Sequence, residues 1–204
     1  DMEDANAQVI DVTGKGVLEI AKVSNSDLLK THLAKIELFA KRQQLPTGGA
    51  ALLDDPEYPY ILASNKLVLE LEEEITLLTK YARDIYAKKY PDLESQVPNP
   101  YDYARLVKRI GNSADISSMD LSDILAPSIV MVVKVMASTS SNQLLSETEL
   151  NQVMKAVDEI LRIEDVKKKI LDYVSSRMMS VAPNLSVIVG TKIAAQLIGI
   201  AGGL

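Results

Sequence analysis

From Val68 onward, apolar residues fall at Leu71, Ile75, Leu78, Ala82 and Ile85, in alternating steps of three and four. This is the a/d seam of a heptad repeat, which calls for a partner helix running alongside. The pattern predicts a helix from about Asn65 to Lys89, roughly 38 Å long at about 1.5 Å per residue. Glu70, Glu72, Glu73 and Glu74 lie towards its start and Lys80, Arg83, Lys88 and Lys89 towards its end, which complements the helix dipole. A second stripe opens where Ser146 and Glu149 match a capping box. Leu150, Val153, Val157 and Ile160 follow in 3-4-3 steps, and Ile170, Tyr173, Val174 and Met178 resume the stripe before Pro183. A helix from Ser146 to Arg177 is the natural antiparallel partner of the first, and the two together predict a hairpin stalk.

Shorter elements flank the pair. Ser26-Asp27 offers an N-cap, after which Leu29, Leu33, Ile36 and Ala40 keep helical spacing up to Lys41-Arg42. Pro46-Thr47-Gly48-Gly49 ends that helix, and the segment through Pro59 reads as a loop. Asn99-Pro100 supplies an N-cap with proline at the first helical position, Tyr101 to Ile110 follows, and Gly111 sits where a left-handed C′ residue belongs. Ser117 to Ser122 reads as a turn, Pro127 as the start of a buried run from Ile129 to Ala137, and Ser138 to Asn142 as a polar loop. Residues 1–23 are weakly patterned and read as a frayed or partner-bound arm. No segment alternates with period two for long enough to be a strand. The expected class is therefore all-α: an antiparallel coiled-coil stalk of two long helices, with shorter helices at its tip. Three parts are expected: an arm and helix over 1–57, a helical coiled-coil domain over 58–180, and a distinct unit over 181–204.

That last unit is unusual. Between Val181 and Leu204 the single charge is Lys192, and small residues recur four apart at Gly190 and Ala194 and at Ala195 and Gly199. Such spacing lets one helix backbone approach another closely. An apolar, small-residue segment closing on Ala201-Gly202-Gly203-Leu204 reads as half of a packing unit completed beyond Leu204, so the sequence is expected to be a piece of a longer protein. A membrane span is the weaker reading, because Lys192, Gln196 and four glycines interrupt Val187 to Leu204.

Composition narrows the function classes. With 47% apolar and 25% charged residues the chain is an ordinary folded one, and with one Phe and no Trp its core must be aliphatic. A net charge of -6 argues against a general nucleic-acid-binding surface, though not against a local basic patch. The absence of Cys removes disulfides, thiolate catalysis and cysteine metal sites. The N-terminus is acidic, unlike a signal peptide.

No catalytic constellation emerges. His32 is alone within a predicted helix, with no second histidine at metal-binding spacing, and reads as a solvated or packing residue. Gly190-Thr191-Lys192 lacks the glycine a phosphate loop requires, since Leu185 stands in its place. Glu72-Glu73-Glu74 spans one helical turn and reads as a solvated face. The basic clusters Lys88-Lys89, Arg105 with Lys108-Arg109, and Lys167-Lys168-Lys169 read first as structural, the former two at helix ends.

Ala182-Pro183-Asn184-Leu185-Ser186 with Gly190, Ala194-Ala195, Gly199 and Ala201-Gly202-Gly203 resembles the opening of the Nop domain. That domain is shared by box C/D small nucleolar ribonucleoprotein core proteins and a spliceosomal relative. Tyr90-Pro91-Asp92-Leu93-Glu94-Ser95 with Val97-Pro98-Asn99, then Val107-Lys108 with Gly111-Asn112-Ser113, and Ile129 to Val133 leading to Ala137-Ser138-Thr139 are closer to the spliceosomal branch, as are Tyr173-Val174 and Ser176-Arg177-Met178. The likeness runs from about Tyr58 to Leu204. It implies a non-enzymatic, all-helical nuclear splicing factor without cofactor or metal, whose stalk leads into the first helices of a Nop domain. The implied partners are the U4 snRNA kink-turn stem together with its small primary RNA-binding protein, and a U5-side splicing protein, in assembly of the U4/U6-U5 tri-snRNP. The family's RNA contacts are expected after Leu204, so the small residues of 181–204 are carried over as packing residues only. The alternatives are a coiled-coil scaffold with no RNA role and a box C/D core protein.

Overall fold

The computed structural model describes residues 16–42, 45–46, 52, 54–140 and 143–201. Among them the chain is all-helical, with no strand. The elements are α1 (Val17–Ile20), α2 (Asp27–Ala40), α3 (Tyr58–Tyr86), α4 (Leu93–Gln96), α5 (Pro100–Ile110), α6 (Pro127–Thr139), α7 (Glu147–Val181), α8 (Pro183–Val189) and α9 (Thr191–Ala201). The two long helices, α3 and α7, make the most extensive pairing in the molecule. They run antiparallel: Glu57 before α3 meets Arg177 late in α7, Glu72 meets Lys167, and Lys88 just past α3 meets Glu149.

Heptad residues lie between them. Val68, Leu71, Ile75, Leu78 and Ala82 are buried, while Ile85 is half-buried against the core. Facing them, Val153, Val157, Ile160, Ile170, Val174 and Met178 are buried on α7. The capping box forms as its spacing requires: Glu149 N–H donates to Ser146 Oγ at 3.3 Å, and Ser146 N–H donates to Glu149 Oε2 at 3.0 Å. Asn99 caps α5 through Oδ1, which accepts from Tyr101 N–H at 2.9 Å.

Several expectations change. α3 begins at Tyr58 rather than Asn65, because Pro59 occupies the first turn of a helix, where its missing N–H costs nothing, and does not end a loop. The added turns bury Tyr58 and Ile61 on the same stripe. α5 does not sit at the tip. It lies along α7, with Lys167 Nζ donating to Tyr101 Oη at 3.1 Å and with Arg105–Glu164 and Lys108–Asp158 ion pairs. α5 thus packs against mid-stalk, leaving the turns after Gly111 and α6 at the far end. α6 is not a buried run: Val133 and Ala137 are buried, whereas Met131, Val132 and Val135 are 71%, 42% and 55% exposed. A helix packed on one side has room to bury only one face, whatever its overall hydropathy. Ser138 and Thr139 belong to α6 rather than to a loop, and Ser141 and Asn142 lie outside the described residues.

From Gly16 onward the amino-terminal segment is anchored. Glu74 accepts from Ser24 N–H at 2.9 Å and also from Val23 N–H. Ser24 Oγ donates to Glu159 Oε1 at 2.8 Å, and Arg162 donates to the Ser24 carbonyl at 2.9 Å. Glu74 is therefore buried, not part of a solvated acidic face, while Glu72 and Glu73 are exposed. Residues 1–15 lie outside the described residues.

Candidate functional site

The end of the stalk is built around a change of direction. Ala182 precedes Pro183, whose ring disfavours helical backbone at the residue before it, and Ala182 adopts φ -138°. Pro183 enters the first turn of α8. Ser186 Oγ donates back to the Met178 carbonyl at 3.0 Å and fastens α8 to α7. Gly190 then joins α8 to α9 at φ 84°, ψ 155°, a region essentially reserved for glycine. From there α9 folds back on α7 and α3, burying Ala194, Ala195 and Ile198. Gly199 lies over Asn65 of α3, and a β-carbon there would lie 3.4 Å from Asn65 Cγ. Asn184 and Ala201 are exposed; Gly202 and Gly203 lie outside the described residues.

The outward faces of α8 and α9 are apolar. Val187, Ile188 and Ile200 are 75%, 79% and 77% exposed, and Ile193 and Leu197 are exposed as well. Apolar exposure on this scale marks a surface that another element covers. Because Gly190 sets the angle of α9, Gly190→Ala is expected to strain the joint by about 1–3 kcal/mol. The measurement is amide hydrogen exchange: protection should fall in α9 and stay unchanged in α3. Unaltered exchange in α9 would show that the joint tolerates a side chain.

Beside the joint, a groove of about 380 Å³ is lined by Tyr101, Lys167, Lys168, Lys192 and Gln196, with Glu164 and Asp172 at its edge. Lys167 is half-buried, with its ammonium 2.8 Å from Glu72 Oε1. Lys168 and Lys192 are exposed and form no ion pair among the described residues. The other basic clusters are engaged within the stalk: Arg105 with Glu164, Lys108 with Asp158, Arg109 with Asp123 at 2.8 Å, and Lys88 with Glu149. The Lys88 contact, with two hydrogen bonds from Ser146, holds the Glu149 carboxyl down at about 2. Lys89 is fully buried, its ammonium 5.1 Å from the Tyr90 ring centre and without a hydrogen bond among the described residues. Burial holds its pKa below the usual lysine value.

A buried polar cluster fixes the base of the stalk. Glu57, with no exposed surface, accepts from Arg177 Nε at 2.7 Å, Tyr173 Oη at 2.9 Å and Arg42 at 3.2 Å. Arg42 also holds Asp55 at 3.0 and 3.2 Å, and Arg177 donates to the carbonyls of Phe39 and Arg42. The end of α2, the start of α3 and the end of α7 are thereby tied together. Sequence reasoning passed over this cluster. Its one signal was Arg177, a charge on the stripe that continues from Val174 and Met178 to Val181.

His32 is buried, with Nε2 2.8 Å from Ser64 Oγ, and that hydroxyl donates to the Tyr60 carbonyl at 2.7 Å. The packing reading of His32 therefore holds and the solvated one does not. Burial lowers its pKa below 6.5. The folded state then resists protonation, so stability is expected to be level above about pH 7 and to fall as pH drops below 6.5. His32→Gln should flatten that part of a pH series of urea midpoints; an unchanged slope would show that His32 is not its source. Among the described residues no cluster of His, Asp or Glu could hold a metal ion, and no helix is long and apolar enough to cross a membrane.

A profile of the Nop family, described as "snoRNA binding domain, fibrillarin", matches residues 67–204. The chain belongs to the Nop family. It is 40% identical to the human U4/U6 small nuclear ribonucleoprotein Prp31 over 207 aligned residues, covering 100% of this chain and 42% of that protein. It is 41% identical to the Arabidopsis thaliana Prp31 homolog over 186 residues, 91% of this chain and 38% of that one. Nucleolar protein 58 of Schizosaccharomyces pombe is 28% identical over 144 residues, 71% of this chain and 28% of that one. The chain thus spans about two fifths of the length of its Prp31 relatives. The Nop match begins within α3 and takes in the rest of that helix, all of α7 and the α8–α9 joint.

Proposed function

We propose that this chain is the stalk and the opening of the Nop domain of a nuclear, non-enzymatic pre-mRNA splicing factor. The observation that carries the reading is 40% identity to a U4/U6 small nuclear ribonucleoprotein protein, extending over the whole chain and not only the Nop match. The shorter and weaker likeness to a nucleolar protein favours the spliceosomal branch over a box C/D core role. In this reading residues 58–180 form a rigid spacer and residues 181–204 begin the recognition unit. The target is a U4 snRNA kink-turn stem together with its small primary RNA-binding protein. Joined to that surface, the factor promotes assembly of the U4/U6-U5 tri-snRNP through a splicing protein on the U5 side.

The electrostatics support a composite target over bare RNA. With the clusters at Lys88 and at Arg105 to Arg109 held in ion pairs and a net charge of -6, this chain can neutralise few phosphates by itself. Residues 1–204 alone should therefore fail to bind the kink-turn complex, while the protein extended to the full length of its relatives should bind it. The shorter form should also self-associate through the apolar faces of α8 and α9. Equal affinity of the two, titrated at matched salt, would place recognition within residues 1–204 and make Lys168, Lys169 and Lys192 the first suspects. A plain coiled-coil scaffold would show no RNA-dependent binding in either form.

A further inference from the structure

The tip of the stalk carries a surface that the Nop reading does not use. α6 presents outward Ser128, Met131, Val132, Val135, Ser138 and Thr139, all exposed and none charged. These positions follow helical spacing and form one face two to three turns long, with Leu144 also exposed at the same end of the stalk. In a chain where a quarter of the residues are charged, an uncharged helix face with Met131, Val132 and Val135 exposed at its centre marks a contact surface. The chain on either side of α6 is acidic. From Gly111 to Glu149 the chain has five carboxylates, Asp115, Asp120, Asp123, Glu147 and Glu149, against one lysine, Lys134. That lysine is held by the Ser117 carbonyl at 2.8 Å, and Asp115 and Asp120 accept from the neutral backbone of Ser117 and Ser122. Arg109 pairs with Asp123 and Lys88 with Glu149, which leaves Asp115, Asp120 and Glu147 without an ion pair among the described residues, Lys134 acting on the first two only at longer range.

We propose that this face of α6 docks an amphipathic helix of another protein, one whose apolar ridge is flanked by lysine or arginine. The apolar stripe fits a ridge of i, i+3, i+4 and i+7 anchors. The rim carboxylates select a partner of opposite sign and repel a second copy of this acidic tip. α7 holds the site roughly 50 Å from the α8–α9 joint at about 1.5 Å per residue, so both ends of the molecule can be occupied at once. The inference stands on the exposed face and its charge, and does not depend on what the Nop end binds.

The test is a titration of the full-length protein with a fluorescent helical peptide carrying leucines at i, i+3, i+4 and i+7 flanked by lysines, beside a twin with glutamates for the lysines. The lysine peptide should bind and the glutamate twin should not. Met131→Ser with Val135→Ser, both at exposed positions, should remove binding, and Asp120→Asn with Glu147→Gln should weaken it by about tenfold. Circular dichroism of each variant establishes that the fold is intact. Failure of the lysine peptide to bind, equal binding of the two peptides, or insensitivity to the serine pair would each overturn the proposal. So would a wild-type dimer in sedimentation that the serine pair dissociates, since the occupant would then be a second copy.

Discussion

Arg177→Met is expected to lower unfolding stability by about 3 kcal/mol, read as a shift in urea midpoint with little change in slope. Arg177 is nearly buried and bonds Glu57, which has no access to water. Removing one member of such a pair leaves a carboxylate without enough compensation, and the methionine cannot supply the donors that the Phe39 and Arg42 carbonyls lose. The loss should fall at the low end of the range for broken buried pairs, because Arg42 and Tyr173 still bond Glu57. Adding Glu57→Leu to Arg177→Met should recover part of the stability, since an apolar pair carries no stranded charge. A single variant as stable as wild type would mean that the cluster is solvated and that the base of the stalk is held by apolar packing alone.

Leu78→Ala should cost roughly 2–5 kcal/mol, because the side chain is completely enclosed between the stalk helices and a cavity would remain. The same substitution at Ile85, which is only half-buried, should cost less. Urea denaturation of both variants checks the order as well as the size. A change below about 0.5 kcal/mol at Leu78 would mean that the heptad faces solvent.

The parts of this fold that could be read in the sequence are those written in local periodicity and capping chemistry. Val68 to Ile85 and Leu150 to Met178 announce two long helices by their spacing, Ser146 and Glu149 announce where one begins, and Asn99-Pro100 announces α5. Periodicity says which face is apolar, not how many neighbours surround it. α5 was therefore expected at the tip when it runs along α7, and α6 was expected to be buried when only Val133 and Ala137 are enclosed and Ile129, Val130 and Met136 are partly covered. Pro59 misled for a related reason: proline punctuates a loop and opens a helix equally well, and only the burial of Tyr58 and Ile61 distinguishes the two.

Long-range polar contacts were not legible. Glu74 looked like one of three surface glutamates, yet it accepts the backbone N–H groups of Val23 and Ser24, some fifty positions away in the chain. Glu57 and Arg177 are further apart still. Lys89, taken with Lys88 as a helix-end cation, turns inward beneath Tyr90 where no sequence pattern marks it. At the α8–α9 joint the motif itself was visible, and its small residues now have places: Gly190 at the turn, Ala194 and Ala195 against the stalk, Gly199 over Asn65. What covers the outward apolar face of that joint is not written in residues 181–204.

In the proposed reading the protein recognises RNA only as part of a preformed ribonucleoprotein surface. The most direct measurement is a titration of the full-length protein against a fluorescent U4 kink-turn RNA, with and without its small primary RNA-binding protein, at one fixed salt concentration. Saturable binding is expected when the primary protein is present, and none over the same range when it is absent. Equal affinity for the bare RNA would contradict that reading.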